Sequence, residues 1–111
     1  ASDVAKEMQV REIDISYFNQ LVFSCEKNRL ILEELISRSL DTGWSIDRLS
    51  KAEFTILLVA ICELKHILKT PAKVIITEYV SITNAYNGDT GFVNAILDKN
   101  AKTLRPDEIF Y

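Results

Sequence analysis

Residues 50–68 read SKAEFTILLVAICELKHIL, the most continuous apolar stretch of the chain. Ser50 followed by Glu53 matches a capping box, in which the serine oxygen accepts the amide hydrogen three residues on and the glutamate reaches back to the cap amide. Phe54, Ile56, Leu57, Leu58, Val59, Ile61, Cys62, Leu64, Ile67 and Leu68 then set apolar groups almost all the way round a helix. A helix with no wet face in its middle is buried by neighbours. Glu63 and Lys65 end the unbroken run well short of the roughly 20 residues that a bilayer requires. The stretch therefore predicts a central core helix and no membrane span.

The rest of the composition suits one globular domain over all 111 residues. It is 48% hydrophobic and 26% charged, with only three glycines and two prolines, which disfavours a many-turned β protein and makes all-α the expected class. A formal charge of -3 gives no global basic footprint, so any nucleic-acid contact must be local. Cys25 and Cys62 lie inside apolar helical patterns without metal-ligand spacing and read as buried small hydrophobes in a reducing compartment. With no signal peptide visible, the expected location is cytoplasmic. The chain opens Ala-Ser-Asp without methionine, which suggests that part of a natural N-terminus precedes it.

Outward from the central helix, Asp14 is a candidate N-cap for a first helix in which Ile15, Phe18, Leu21, Val22 and Cys25 recur at helical spacing. Glu26, Lys27 and Asn28 interrupt that pattern. Leu30, Ile31, Leu35, Ile36 and Leu40 then mark a second helix or one bent continuation. Gly43 suits a left-handed helix-ending position, and Trp44 is expected to pin the link DTGWSIDR to the core. After the central helix, Thr70 and Pro71 read as a capping hydroxyl followed by proline at the first helical position. KVIITEYVSIT is rich in β-branched residues, yet alternation fails at Val74, Ile75 and Ile76 and the segment is long for a strand, so it is expected to be helical. The loop NGDTG follows. Phe92, Val93, Ile96, Leu97 and Leu104 mark a last helix stopped by Pro106.

Little in this pattern points to catalysis or to a cofactor. His66 is the only histidine, and local spacing sets neither an acid nor a nucleophile beside it. Glu63 and His66 form an E-x-x-H pair, but di-metal carboxylate bundles need a second such pair and there is none, so His66 reads as a surface residue at a helix end. NGDTG lacks the spacing and following lysine of a phosphate loop. No cofactor and no metal are expected.

From residue 71 onward the chain resembles the NusB family. The resemblance rests on PAKVIITEYVSI, a short loop and FVNAILDK. Upstream it includes Arg48-Leu49, the helix closing on Cys62-Glu63-Leu64, VREIDISYF and Gly43-Trp44, so it covers nearly the whole chain. It implies an all-helical fold of small bundles, about five helices here with the family's arginine-rich N-terminal helix missing, since nothing in residues 1–13 looks like it. It also implies binding of single-stranded boxA RNA of ribosomal leaders together with NusE, a small-subunit ribosomal protein, and indirect action with other Nus factors on RNA polymerase. The loop before Phe92 is short against the family pattern.

By the same resemblance, Asp89, Thr90, Gly91 and Phe92 form part of the RNA surface. Loop amides, a hydroxyl and a carboxylate can read exposed base edges, and an aromatic ring can stack a base. The competing reading is that Asp89 or Thr90 caps the last helix and Phe92 enters the core. Asn94 reads as a structural hydrogen bonder near the loop. Lys73 and Lys99 either add local positive charge or are ordinary solvated lysines. Glu53 resembles a family position at the NusE interface, although its capping role already accounts for it, and Glu78 reads as a paired structural carboxylate. Three functions compete: a stand-alone antitermination factor; the N-terminal RNA-binding domain of a ribosomal RNA cytosine methyltransferase, which would be followed by a long catalytic domain; and a helical interaction domain without RNA binding. FVNAILDK and the closing RPDEIFY favour the first, which is not an enzyme.

Overall fold

The computed structural model describes residues 17 and 19–108. Among them are five α-helices, α1 (19–27), α2 (Arg29–Ser39), α3 (Lys51–His66), α4 (Ala72–Ala85) and α5 (Thr90–Leu104), and a 3-10 turn at Ile46–Arg48. The all-α expectation holds, including the β-branched segment now forming α4. The proposed Asp14 cap, Ile15 and Phe18 lie outside the described residues.

α3 is central for the reason its sequence suggests. Ile56, Leu57, Leu58, Ala60, Ile61, Cys62 and Leu64 are all buried, and α3, α4 and α5 pack on one another while α2 lies across α3 and α5. Each fully buried Leu or Ile contributes roughly 1.5–3 kcal/mol relative to exposure. Ser50 caps the helix by accepting the Glu53 amide hydrogen at 3.1 Å, but the glutamate differs from a full capping box. Its Oε1 accepts the Ser50 hydroxyl at 3.0 Å in place of the cap amide.

α1 and α2 are one bent path. The Asn28 amide donates to Ser24 O and Leu32 to Asn28 O, both at 3.0 Å, so the helical ladder crosses the break. The buried face of α2 is Leu32 and Ile36, with Leu35 and Leu40 half-buried against the core as expected, whereas Leu30 is 82% exposed and Ile31 is exposed too, so these two leave the expected stripe and Leu32 joins it. Leu32 and Ile36 continue the buried stripe of Leu21 and Cys25 at helical spacing, so one apolar phase runs through α1 and α2.

Two buried polar groups, Glu63 and Asn100, hold the core in register. Glu63 is buried, accepts the Tyr17 hydroxyl, and raises the phenol pKa values of Tyr17 and Tyr79, behind burial as the larger cause. Glu63 is thus the paired structural carboxylate, whereas Glu78, expected in that role, is exposed because it falls on the outer face of α4. His66 stands exposed at the end of α3 while Glu63 points inward, so the E-x-x-H pair does not converge, and no metal-holding group of three ligands occurs among the described residues. Asn100 is buried and donates to Ser39 Oγ at 2.8 Å and Ile96 O at 2.9 Å.

The start of α4 is built differently from the expected Thr70 cap and Pro71 first turn. Pro71 is itself the N-cap residue, and the free Ala72 amide donates to Glu108 Oε1 at 2.8 Å. The Thr70 carbonyl instead accepts from Arg105, a buried guanidinium that also binds Leu64 O and Ile67 O at 2.6 and 2.9 Å. A cation at these carbonyls also suits the negative end of α3.

Candidate nucleic-acid interface

The loop between α4 and α5 is shaped by local chemistry. Asn87 takes φ +57, and the Gly88 amide turns back to donate to Thr83 O at 2.9 Å. A Cβ at Gly88 would lie 2.9 Å from Thr83 Cγ2, so only glycine lets the loop press this close to α4. The same missing Cβ would lie 3.8 Å from Glu53 Cγ, which puts the start of α3 beside the loop.

Asp89 is the N-cap of α5. Its Oδ1 accepts the Phe92 amide hydrogen at 3.0 Å and its carbonyl accepts from Val93 at 3.1 Å. The Thr90 and Gly91 amides have no backbone acceptor among the described residues and stand at the positive end of the helix dipole. The capping reading of Asp89 is therefore correct, and it leaves the second carboxylate oxygen, two amides and the Thr90 hydroxyl at the rim. Such a set can pair with the edge of an unpaired base. The Asp89 charge sets it against simple phosphate capture.

Phe92 satisfies both of its readings in part. It is half-buried, packed on the core from one side, and its ring centroid lies 6.1 Å from that of Trp44 at an interplanar angle of 36°. Trp44 itself is 53% exposed. It does not pin its link to the core as expected; it lies over the first turn of α5. The link reaches there because the Trp44 amide closes a turn on Asp41 O at 3.0 Å, with Gly43 at φ +93 inside it. Lys99 and Asn100 tie the preceding residues to α5: Lys99 Nζ donates to Ser39 O at 3.2 Å and lies 3.8 Å from Asp41 Oδ1. Lys99 is two helical turns beyond Phe92 and so shares its side of α5.

Two of the sequence-expected positions do not join this surface. Lys73 is in the first turn of α4, about 18 Å along the axis from the loop at 1.5 Å per residue. Asn94 lies about 200° round α5 from Phe92. It is exposed and makes no side-chain hydrogen bond among the described residues, and the buried structural amide is Asn100 instead. Asp89, Thr90, Gly91 and Phe92 lie together at the N-terminal end of α5, with Glu53 adjoining, and Lys99 stands two turns further on along the side of Phe92.

The NusB family model matches residues 1–102. The chain belongs to the NusB family. It is 36% identical over 98 residues to the transcription antitermination protein NusB of Clostridium botulinum, covering 86% of this chain and 73% of that one. Against the proteins of the same name it is 39% identical over 97 residues in Burkholderia mallei and 33% over 95 in Rhodopseudomonas palustris, covering 66% and 56% of their lengths. The chain thus spans between about half and three quarters of the relatives it matches. In this NusB-family chain the surface residue that sequence reading underrated is Trp44. The available signal was Gly43-Trp44 itself, because a glycine turn beside a large aromatic presents the ring outward as readily as inward.

Proposed function

We propose that this NusB-family chain is a transcription antitermination factor that binds boxA-type single-stranded RNA together with NusE, and that it acts with other Nus factors on RNA polymerase in the cytoplasm. The observation that carries this reading is the composite edge at the start of α5, where the Thr90 and Gly91 amides, without a backbone acceptor among the described residues, adjoin Asp89 and Phe92. The names of the relatives support the antitermination role over the methyltransferase alternative. Its chemistry is recognition without bond making. Lys99 is the cation at this edge and the chain is net acidic, so few phosphate contacts form and affinity depends on base reading and on the partner. Glu53, beside the loop, is the proposed NusE contact, which places the two partners next to one another and favours mutual strengthening.

The test is fluorescence anisotropy with a boxA-type RNA and a scrambled RNA, each with and without NusE. Preference for the boxA-type RNA that grows when NusE is present supports the reading. Equal binding of both RNAs would leave an interaction module; no binding of either by the complex would remove the RNA function.

A further inference from the structure

Trp44 is a large aromatic with more than half its surface exposed, yet its position is held from several directions. The preceding turn is closed by its own amide on Asp41 O, Ser39 is bound by Lys99 and Asn100, and the ring is tilted against that of Phe92. Gly43 within the turn meets nothing within 4 Å where a Cβ would stand, so the glycine is present for its φ of +93 and not for lack of room. The turn thus exists to aim the chain, and what it aims is the indole. At 6.1 Å and 36° the two rings are in tilted contact, too close and too oblique for a base to slide between them. Phe92 therefore backs the indole from the core side and the free face of Trp44 is the open surface.

Phe92 stands in the first turn of α5, where the Thr90 and Gly91 amides have no backbone acceptor among the described residues, and Lys99 lies two turns further along the same side of the helix. A flat aromatic ligand on the indole, with hydrogen-bond acceptors on its edge and a phosphate on its flank, suits a helix end with open amides and a lysine along the same side. An unpaired nucleobase has that form, and every base offers a π-face.

We propose that Trp44 is the stacking platform of this surface, that an unpaired nucleobase of single-stranded RNA lies on its exposed face, and that Phe92 is the positioning residue behind it. This inference rests on the RNA-binding reading above. Because Trp44 is the only tryptophan, its fluorescence reports the contact directly. The experiment titrates the chain, with NusE present, with boxA-type RNA, following RNA anisotropy and tryptophan emission together, for the wild type and for Trp44→Phe, Trp44→Leu and Trp44→Ala. Circular dichroism confirms equal helicity.

The expected result is quenching that saturates with the anisotropy change, affinity within roughly twofold for Trp44→Phe, and a loss of about fivefold or more for Trp44→Leu, which keeps the apolar contact with Phe92 but has no π-face. RNA binding without quenching, or Trp44→Leu and Trp44→Ala binding like the wild type, would overturn the platform and leave the RNA-binding reading intact. Failure of the wild type to bind RNA would overturn both.

Discussion

Glu108 accepts the amide hydrogen of Ala72 at 2.8 Å across 36 residues of chain, and so caps a helix from outside it. Its other oxygen binds Arg105 at 2.6 Å, and the two side chains join the end of α3, the start of α4 and the turn after α5 into one junction. α4 and α5 leave this junction together and meet again at the loop that carries Asp89, so the junction sets the geometry of the candidate interface from its far end.

Replacing Arg105 by methionine should destabilise the fold by about 3 kcal/mol. The change removes the guanidinium from the carbonyls of Leu64 and Thr70, takes one of two donors from that of Ile67, and leaves Glu108 without its cation. Lysine cannot restore the fork of donors. Urea unfolding checks this, and a loss below about 1 kcal/mol would show that water replaces the guanidinium.

The Glu108 carboxyl is held below its ordinary 4.5, first by the Ala72 amide and then by Arg105. A depressed carboxyl pKa contributes stability that is complete above the unfolded value and is lost as pH falls through the folded one. Glu108→Gln should accordingly be less stable than the wild type at neutral pH, and the difference should close as pH falls below about 4.5. Urea midpoints for both proteins across that range decide it, since a difference that stays constant would mean that the charge plays no part.

Burial pushes the Cys62 thiol up to about 12 and raises that of Cys25 as well. Both side chains lie in the core between α1 and α3. A disulfide-exchange reagent at about pH 8 should leave the native protein unmodified and react with two thiols per chain in urea. Rapid native reaction of either thiol would mean that α1 opens readily from α3.

Asp89→Ala removes the α5 cap and should cost about 1 kcal/mol of stability. Phe92→Ala removes the support of Trp44. Each should weaken binding of boxA-type RNA while circular dichroism still shows a helical fold. Affinity unchanged in both variants would sink the assignment of this edge as the RNA surface.

The helices themselves were legible because their signals are local. Ser50, Glu53 and the apolar run behind them define α3 without reference to anything else, and the failure of alternation at Val74–Ile76 identifies α4 despite its β-branched content. Asp89 could be read as a cap from spacing alone, since the bond it makes is three residues away. The positions misread are those decided by phase or by distant partners. The phase of Leu21 and Cys25 carries on through Asn28 to Leu32 and Ile36, which puts Leu32 in the core and leaves Leu30 and Ile31 outside it.

The amino-acid sequence by itself determined which segments are helical and that the described fold is all-α, and its motifs carried the resemblance to the NusB family. The helical segments follow from short-range hydrogen bonding and from apolar period, the family from the likeness of motifs such as FVNAILDK. Only the tertiary structure decided that Glu63 and not Glu78 is the buried carboxylate, that Glu108 caps α4, that Lys73 stands apart from the loop, and that Trp44 faces outward over Phe92. Each of these depends on which residues distant in sequence meet when α3, α4 and α5 pack, and a long-range contact leaves no periodic trace in the sequence.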